Sequence, residues 1–96
     1  MVRLVKLRFH ASYADDFVRI FKEHRPKLLK QPGCQGVTLF RDQEDPSTFI
    51  TLSNWRSKED LEKYKLSSVF ASIWKQVKPT FSRHAEVQNL KVIDHP

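Results

Sequence analysis

Two periodicities take turns along the chain, and their order restricts it to very few folds. Apolar residues recur at every second position in short runs, which suits a strand, and at every third or fourth in longer runs, which suits a helix. Val2 to Phe9 sets Val5, Leu7 and Phe9 against Lys6 and Arg8, a first strand. Ser12 followed by Asp15 and Asp16 predicts a helix start, because the hydroxyl can accept an orphan backbone N–H and the carboxylates favour the positive helix end. The stripe of that helix is Ala14, Phe17, Val18, Phe21, Leu28 and Leu29, and Pro26 is expected to kink or break it.

Gln31 to Gly36 reads as a turn in which Gly33 takes the left-handed conformation that ends a helix. Val37 to Asp42 and Phe49 to Trp55 are two strands joined by the polar turn Gln43 to Ser47, a hairpin. Ser57 with Glu59 and Asp60 repeats the helix-start chemistry. Leu61, Tyr64, Val69, Phe70, Ile73, Trp74 and Val77 then mark the inward side of a second helix, with a bend expected at Leu66 to Ser68 and a stop at Pro79. A last strand spans His84 to Ile93. The order β-α-β-β-α-β, with no repeat or linker, predicts one α+β domain over residues 1–96. Its closure is ferredoxin-like: a four-stranded antiparallel sheet with both helices on one face.

Two helices cover one face of such a sheet, yet both faces of these strands are apolar. Val2 and Leu4 oppose Val5, Leu7 and Phe9; Val37 and Leu39 oppose Phe40; Ile50 and Leu52 oppose Phe49 and Trp55. Pairing of two copies through their sheets would hide that surface. Burial of about 600 Å² of apolar area per subunit is worth roughly 15 kcal/mol before association entropy is counted. A homodimer is the expectation.

Composition narrows the setting. Hydrophobic residues make up 40% and charged residues 29% of the chain, the balance of a folded protein. The single cysteine, Cys34, cannot form an internal disulfide and has no zinc-ligand spacing, and Arg3, Lys6 and Arg8 interrupt any apolar leader, so a reducing, cytoplasmic location is expected. No segment is long enough to span a bilayer, so no membrane partner is expected. The net charge of +6 would suit nucleic acid, but its basic residues are spread over nearly every segment, Arg3, Arg19, Arg41, Lys58 and Lys75 among them. The third strand also lacks the glycine and aromatic signature of an RNA-recognition module, so nucleic acid is not the expected partner.

The run Pro32-Gly33-Cys34-Gln35-Gly36, the hairpin with Asp45-Pro46, then Trp55-Arg56-Ser57-Lys58-Glu59 and Ser67-Ser68-Val69-Phe70 together resemble the antibiotic biosynthesis monooxygenase domain. The likeness lies in order and spacing rather than in any single motif, and it runs along nearly the whole chain. It implies a dimeric α+β barrel. It also implies oxidation of a phenolic, quinol-like or other aromatic small molecule with O2 and no cofactor, metal or flavin, although other relatives cleave haem and many have no known reaction. The haem-cleaving branch uses an asparagine in strand one, a tryptophan in helix two and a histidine ligand further on; Leu4 or Val5, Tyr64 and Trp74 stand at the matching places here. Tyr64 likewise replaces the histidine of many quinol-type relatives.

Cofactor-free oxygenation needs a site that binds a phenol, takes its proton and keeps water from reactive products. The candidates for catalysis are His24, which titrates near neutrality, and Tyr64, whose hydroxyl needs a partner if buried. The candidates for substrate binding are Trp55, Asn54, Phe70 and Trp74. Asn54 and Trp55 are neighbours on a strand and must face opposite ways. Phe70 and Trp74 share a helix face and fit a plain core as well as a pocket wall; His24 fits a surface position as well as a site. The remaining histidines have no metal-binding spacing, and Cys34 reads as structural. A ligand-binding or stress-response dimer without turnover is the alternative to an enzyme.

Overall fold

A computed structural model describes residues 1–95. The strands are β1 (Val2–Arg8), β2 (Cys34–Arg41), β3 (Thr48–Trp55) and β4 (Glu86–Leu90), and the helices α1 (Ala14–Leu29), α2 (Lys58–Lys65) and α3 (Ser68–Val77). The strands form one sheet in the order β2-β3-β1-β4, every neighbouring pair antiparallel. The ferredoxin-like α+β fold expected from the periodicities is therefore present, with the second helical segment divided in two. No helix among the described residues is long and apolar enough to cross a membrane.

Register decides which side chains meet the helices. Arg3, Ser53 and Val37 form one cross-strand row, Val5, Thr51 and Leu39 the next, and Leu7, Phe49 and Arg41 a third. Val5, Leu7 and Phe49 from these rows are buried with Phe9, Phe17 and Phe21. Phe9 lies 4.5 Å from the Phe17 ring and 5.8 Å from that of Phe49, an aromatic cluster fastening α1 to the middle of the sheet. A second cluster, Leu28, Trp55, Leu61 and Tyr64, closes the other end. Among the described residues no helix lies on the opposite sheet face. There Val2, Leu4, Ile50 and Leu52 are half-buried, while Phe40 and Leu90 are 47% and 41% exposed.

Local chemistry departs from the sequence reading at several places, among them β2, which begins at Cys34, inside the stretch read as a turn. Ser12 does not cap α1; a 3₁₀ turn over Ala11–Tyr13 precedes the helix, Tyr13 is the capping position, and no side chain bonds there. Pro26 does not break α1, which runs on to Leu29: a proline one turn from the end removes a single hydrogen bond, and the buried Leu28 holds the last turn. The second helix divides because Ser67 starts a new one. Its Oγ accepts from the Phe70 N–H at 3.2 Å and donates to the Tyr64 carbonyl at 2.6 Å, leaving Leu66 exposed at the joint. Finally, β4 is half the length expected of it, and all five of its residues are exposed.

Two of the motifs that carried the family resemblance meet in space. Ser57 caps α2 by accepting from the Asp60 N–H at 3.1 Å, and its hydroxyl donates to the Asp60 carboxylate at 3.0 Å. That carboxylate also accepts from Arg56 Nε at 2.9 Å, and these hydrogen bonds, the Ser57 one foremost, hold its pKa below the usual range. Gly33 packs directly on the carboxylate, its carbonyl accepts from the Arg56 N–H at 2.8 Å, and its φ is +80°. A β-carbon at Gly33 would collide with Asp60 as well as strain the backbone. Gly33→Ala should therefore cost about 2 kcal/mol or more, and a thermal melt should show the midpoint falling by roughly 10 °C. An unchanged melt would mean that this joint does not hold α2 to the sheet.

Candidate active site

Between the two core clusters, under α1 and α3, the inner sheet face lines a partly open cavity of about 80 Å³. Its floor is Arg3, Val5, Thr51 and Ser53 of the sheet; Phe21, His24 and Leu28 of α1 form one wall. Tyr64 closes the end, and Phe70, Ile73 and Trp74 of α3 form the other wall. Trp74 and its neighbours are only half-buried, and Val77 is the one fully buried residue of α3. That wall is the one with least packing behind it. A groove of about 300 Å³ between α1 and α3 shares His24 and Ile73 with the cavity, so these two side chains separate the interior from the surface.

His24 is on the buried stripe of α1, three residues after Phe21 and four before Leu28, and is 8% exposed. Its Nε2 lies 3.0 Å from the Tyr64 hydroxyl, and Tyr64 is 7% exposed. Burial, with help from the nearby Lys27 charge, lowers the His24 pKa, so the imidazole is neutral at pH 7. Burial also pushes Tyr64 up to about 12, so the phenol keeps its proton. The bond is thus one between neutral groups that share a single proton position, with apolar walls around it.

The other sequence candidates divide. Phe70 and Trp74 line the cavity, their rings 5.6 Å apart. Trp55 stands behind the wall: it is 1% exposed, stacks on the Tyr64 ring at 5.1 Å, and donates from Nε1 to the Ser53 hydroxyl at 2.9 Å. Trp55 thereby fixes Tyr64 and Ser53 and is not among the residues that line the cavity. Asn54 points to the outer sheet face and is exposed, away from the cavity. Sequence reasoning missed Arg3, which it counted with the dispersed surface charges. Arg3 lies on the floor, 7% exposed, its guanidinium 5.8 Å from the centre of the Phe70 ring. The signal was its parity, since Arg3 is two residues before Val5 on one face of a strand. Among the described residues no group of three or more His, Cys, Asp or Glu side chains could hold a metal ion.

The fold recurs in solved structures. An antibiotic biosynthesis monooxygenase crystal structure superposes with a TM-score of 0.88 at 18% identity, covering 98% of this chain and all (100%) of that one. Rv0793 from Mycobacterium tuberculosis gives a TM-score of 0.88 at 14% identity, covering 98% of this chain and 95% of that one. PA3566 from Pseudomonas aeruginosa gives 0.86 at 15% identity, covering 97% and 93%. At such identities the likeness shows the fold alone. No curated protein matches the chain. A sequence profile of the antibiotic biosynthesis monooxygenases does match, over residues 1–76, most of the chain, and the protein belongs to that family.

Proposed function

We propose that the protein is a cofactor-independent monooxygenase that oxidises a small phenolic or quinol-like molecule with O2 in the cavity beneath α1 and α3. The observation that carries this reading is the His24–Tyr64 pair, a neutral base in contact with a neutral phenol on the wall of an apolar cavity. The substrate hydroxyl gives its proton to Tyr64 Oη while the Tyr64 proton crosses the 3.0 Å bond to His24 Nε2. This leaves an imidazolium and an electron-rich phenolate. The phenolate passes one electron to O2, and the resulting aryloxyl radical and superoxide combine at a ring carbon bearing hydrogen. Loss of that ring hydrogen and cleavage of the O–O bond, with His24 returning its proton to the departing oxygen, yield a quinone and water. One phenol and one O2 account for every atom and electron, so no external reductant enters. Phe70 and Trp74 supply the flat apolar walls that hold the ring and exclude water from the radical pair.

Size favours a second reading, a binding protein without turnover. About 80 Å³ is less than the roughly 150 Å³ interior cavity that admits benzene elsewhere. Even a one-ring substrate therefore enters only if the half-buried α3 wall moves outward. The outer sheet face is the other half of the reading: two copies pair through Leu4, Phe40, Ile50, Leu52 and Leu90, which are half-buried or exposed within one chain.

Oxygen uptake with a panel of quinols and naphthols tests catalysis, and His24→Ala and Tyr64→Phe should each lower the rate by about 10²-fold or more. Uptake by neither the native protein nor its variants with any substrate would leave the binding reading. Because the folded-state pKa of His24 is below its free value near 6.5, the base is neutral and active at pH 7 and its activity should fall only on acidification below about 6.5. The same sign governs stability: it is full above pH 6.5 and declines as pH falls toward the lowered pKa, because the unfolded chain takes up the proton first. A melt series from pH 7.5 to 5 should show this decline, and His24→Phe should flatten it. Sedimentation at micromolar concentration should give a dimer, with Ile50→Lys shifting it to single subunits; a native protein that sediments as one subunit would contradict the pairing.

A further inference from the structure

Arg3 lacks the partners that a buried cation needs. Its Nε is shut off from solvent with no hydrogen-bond partner. The carboxylates that form ion pairs all pair with other cations: Asp15 with Arg41, Asp16 and Glu23 with Arg19, Asp60 with Arg56, Glu62 with Lys65 and Glu86 with Arg8. Its sheet neighbours, Ser53 on β3 and Asn89 on β4, are neutral. Across the cavity stand the neutral Tyr64 and the face of Phe70. A guanidinium stays charged even when desolvated and an unpaired buried charge detracts from stability, so a side chain kept in this state fits a ligand that brings the opposite charge. Burial lowers the Arg3 pKa, and the Tyr64 hydroxyl and the Glu62 carboxylate, neither of them bonded to it, offset that only in part.

We propose that Arg3 is the anion-binding residue of the cavity, and that the ligand is a compact aromatic whose ionised ring oxygen, a phenolate, pairs with the guanidinium. The inference rests on the cavity being the substrate site and adds the residue that holds the ionised oxygen of the substrate. Three features of the site agree. The floor presents a fixed positive charge, the His24–Tyr64 pair can take the one proton whose loss creates the negative charge, and the α3 wall offers Phe70 and Trp74 to the ring. Pairing with Arg3 also supplies the driving force for deprotonation, since the anion is stabilised where neutral phenol is not.

The test uses the native dimer or monomer as purified, with 4-nitrophenol, whose ionised form absorbs in the visible, and 4-nitrotoluene, a neutral mimic of the same shape. The ionisation midpoint of bound 4-nitrophenol should lie below that in water, corresponding to about tenfold or more tighter binding of phenolate than of phenol. Arg3→Met should abolish that preference while 4-nitrotoluene affinity changes by less than about threefold. Arg3→Lys should keep part of it. A midpoint in the native protein that is unchanged or raised overturns the proposal without recourse to any variant. Unchanged preference in Arg3→Met overturns it too, while the cavity reading survives because both probes bind. Binding of neither probe to the native protein removes the cavity reading and this inference together. Benzoate is the last arm: if it binds more tightly than 4-nitrophenolate and depends on Arg3, the anion class is carboxylate and the phenolate proposal is wrong.

Discussion

The 3.0 Å contact between His24 Nε2 and the Tyr64 hydroxyl joins α1 to α2 across the inside of the molecule, and the arrangement of the core follows from it. Each group, buried alone, would leave an unsatisfied polar atom at a cost of about 1–3 kcal/mol. Together they satisfy one another, but only where the two helices hold them in register. Trp55 keeps the Tyr64 ring in place from behind by stacking, and Ser53 fixes Trp55 in turn. Ser57, Asp60 and Arg56 anchor the start of α2 against Gly33, so Tyr64, one turn further along, has little freedom to leave.

The same polar joint keeps the interior from becoming one continuous apolar mass. The aromatic cluster of Phe9, Phe17 and Phe49 and the cluster of Leu28, Trp55, Leu61 and Tyr64 both contribute walls to the cavity that lies between them. Arg3, His24 and Ser53 occupy that seam. A sequence selected for stability alone would fill the seam with aliphatic residues, because a buried cation without a counter-ion detracts from folding. Keeping polar groups there, beside a helix that buries only Val77 completely, fits a site whose wall yields to a ligand.

Much of the fold could be read from periodicity because each strand and helix buries one regular set of positions. The hairpin, the left-handed Gly33, the Ser57 cap and the end at Pro79 all depend on local chemistry that single residues announce. Ser12 misled because a 3₁₀ turn satisfies the first backbone groups of α1 without a side chain, an outcome that cap preference alone does not reveal. The site was less legible. Phe17, Phe21 and Leu28 leave a gap on the stripe that position 24 or 25 can fill, and a histidine there fits a surface place until the partner on α2 is known. Tyr64, Phe70 and Trp74 were recognisable as candidates, whereas register turns Asn54 to the outer face and leaves Trp55 on the inner face, behind the Tyr64 ring. Arg3 was hidden by the habit of assigning charge to solvent, although its parity with Val5 and Leu7 placed it inside.

The central claim is that His24 is a buried neutral base bonded to Tyr64. Nitrogen-15 chemical shifts of the His24 ring, followed from pH 7.5 to 5, test it directly. A neutral imidazole in one dominant tautomer that resists protonation below its free pKa near 6.5, with ring shifts that change in Tyr64→Phe, is the predicted result. A ring that averages both tautomers and protonates as a solvent-exposed histidine does would contradict the account.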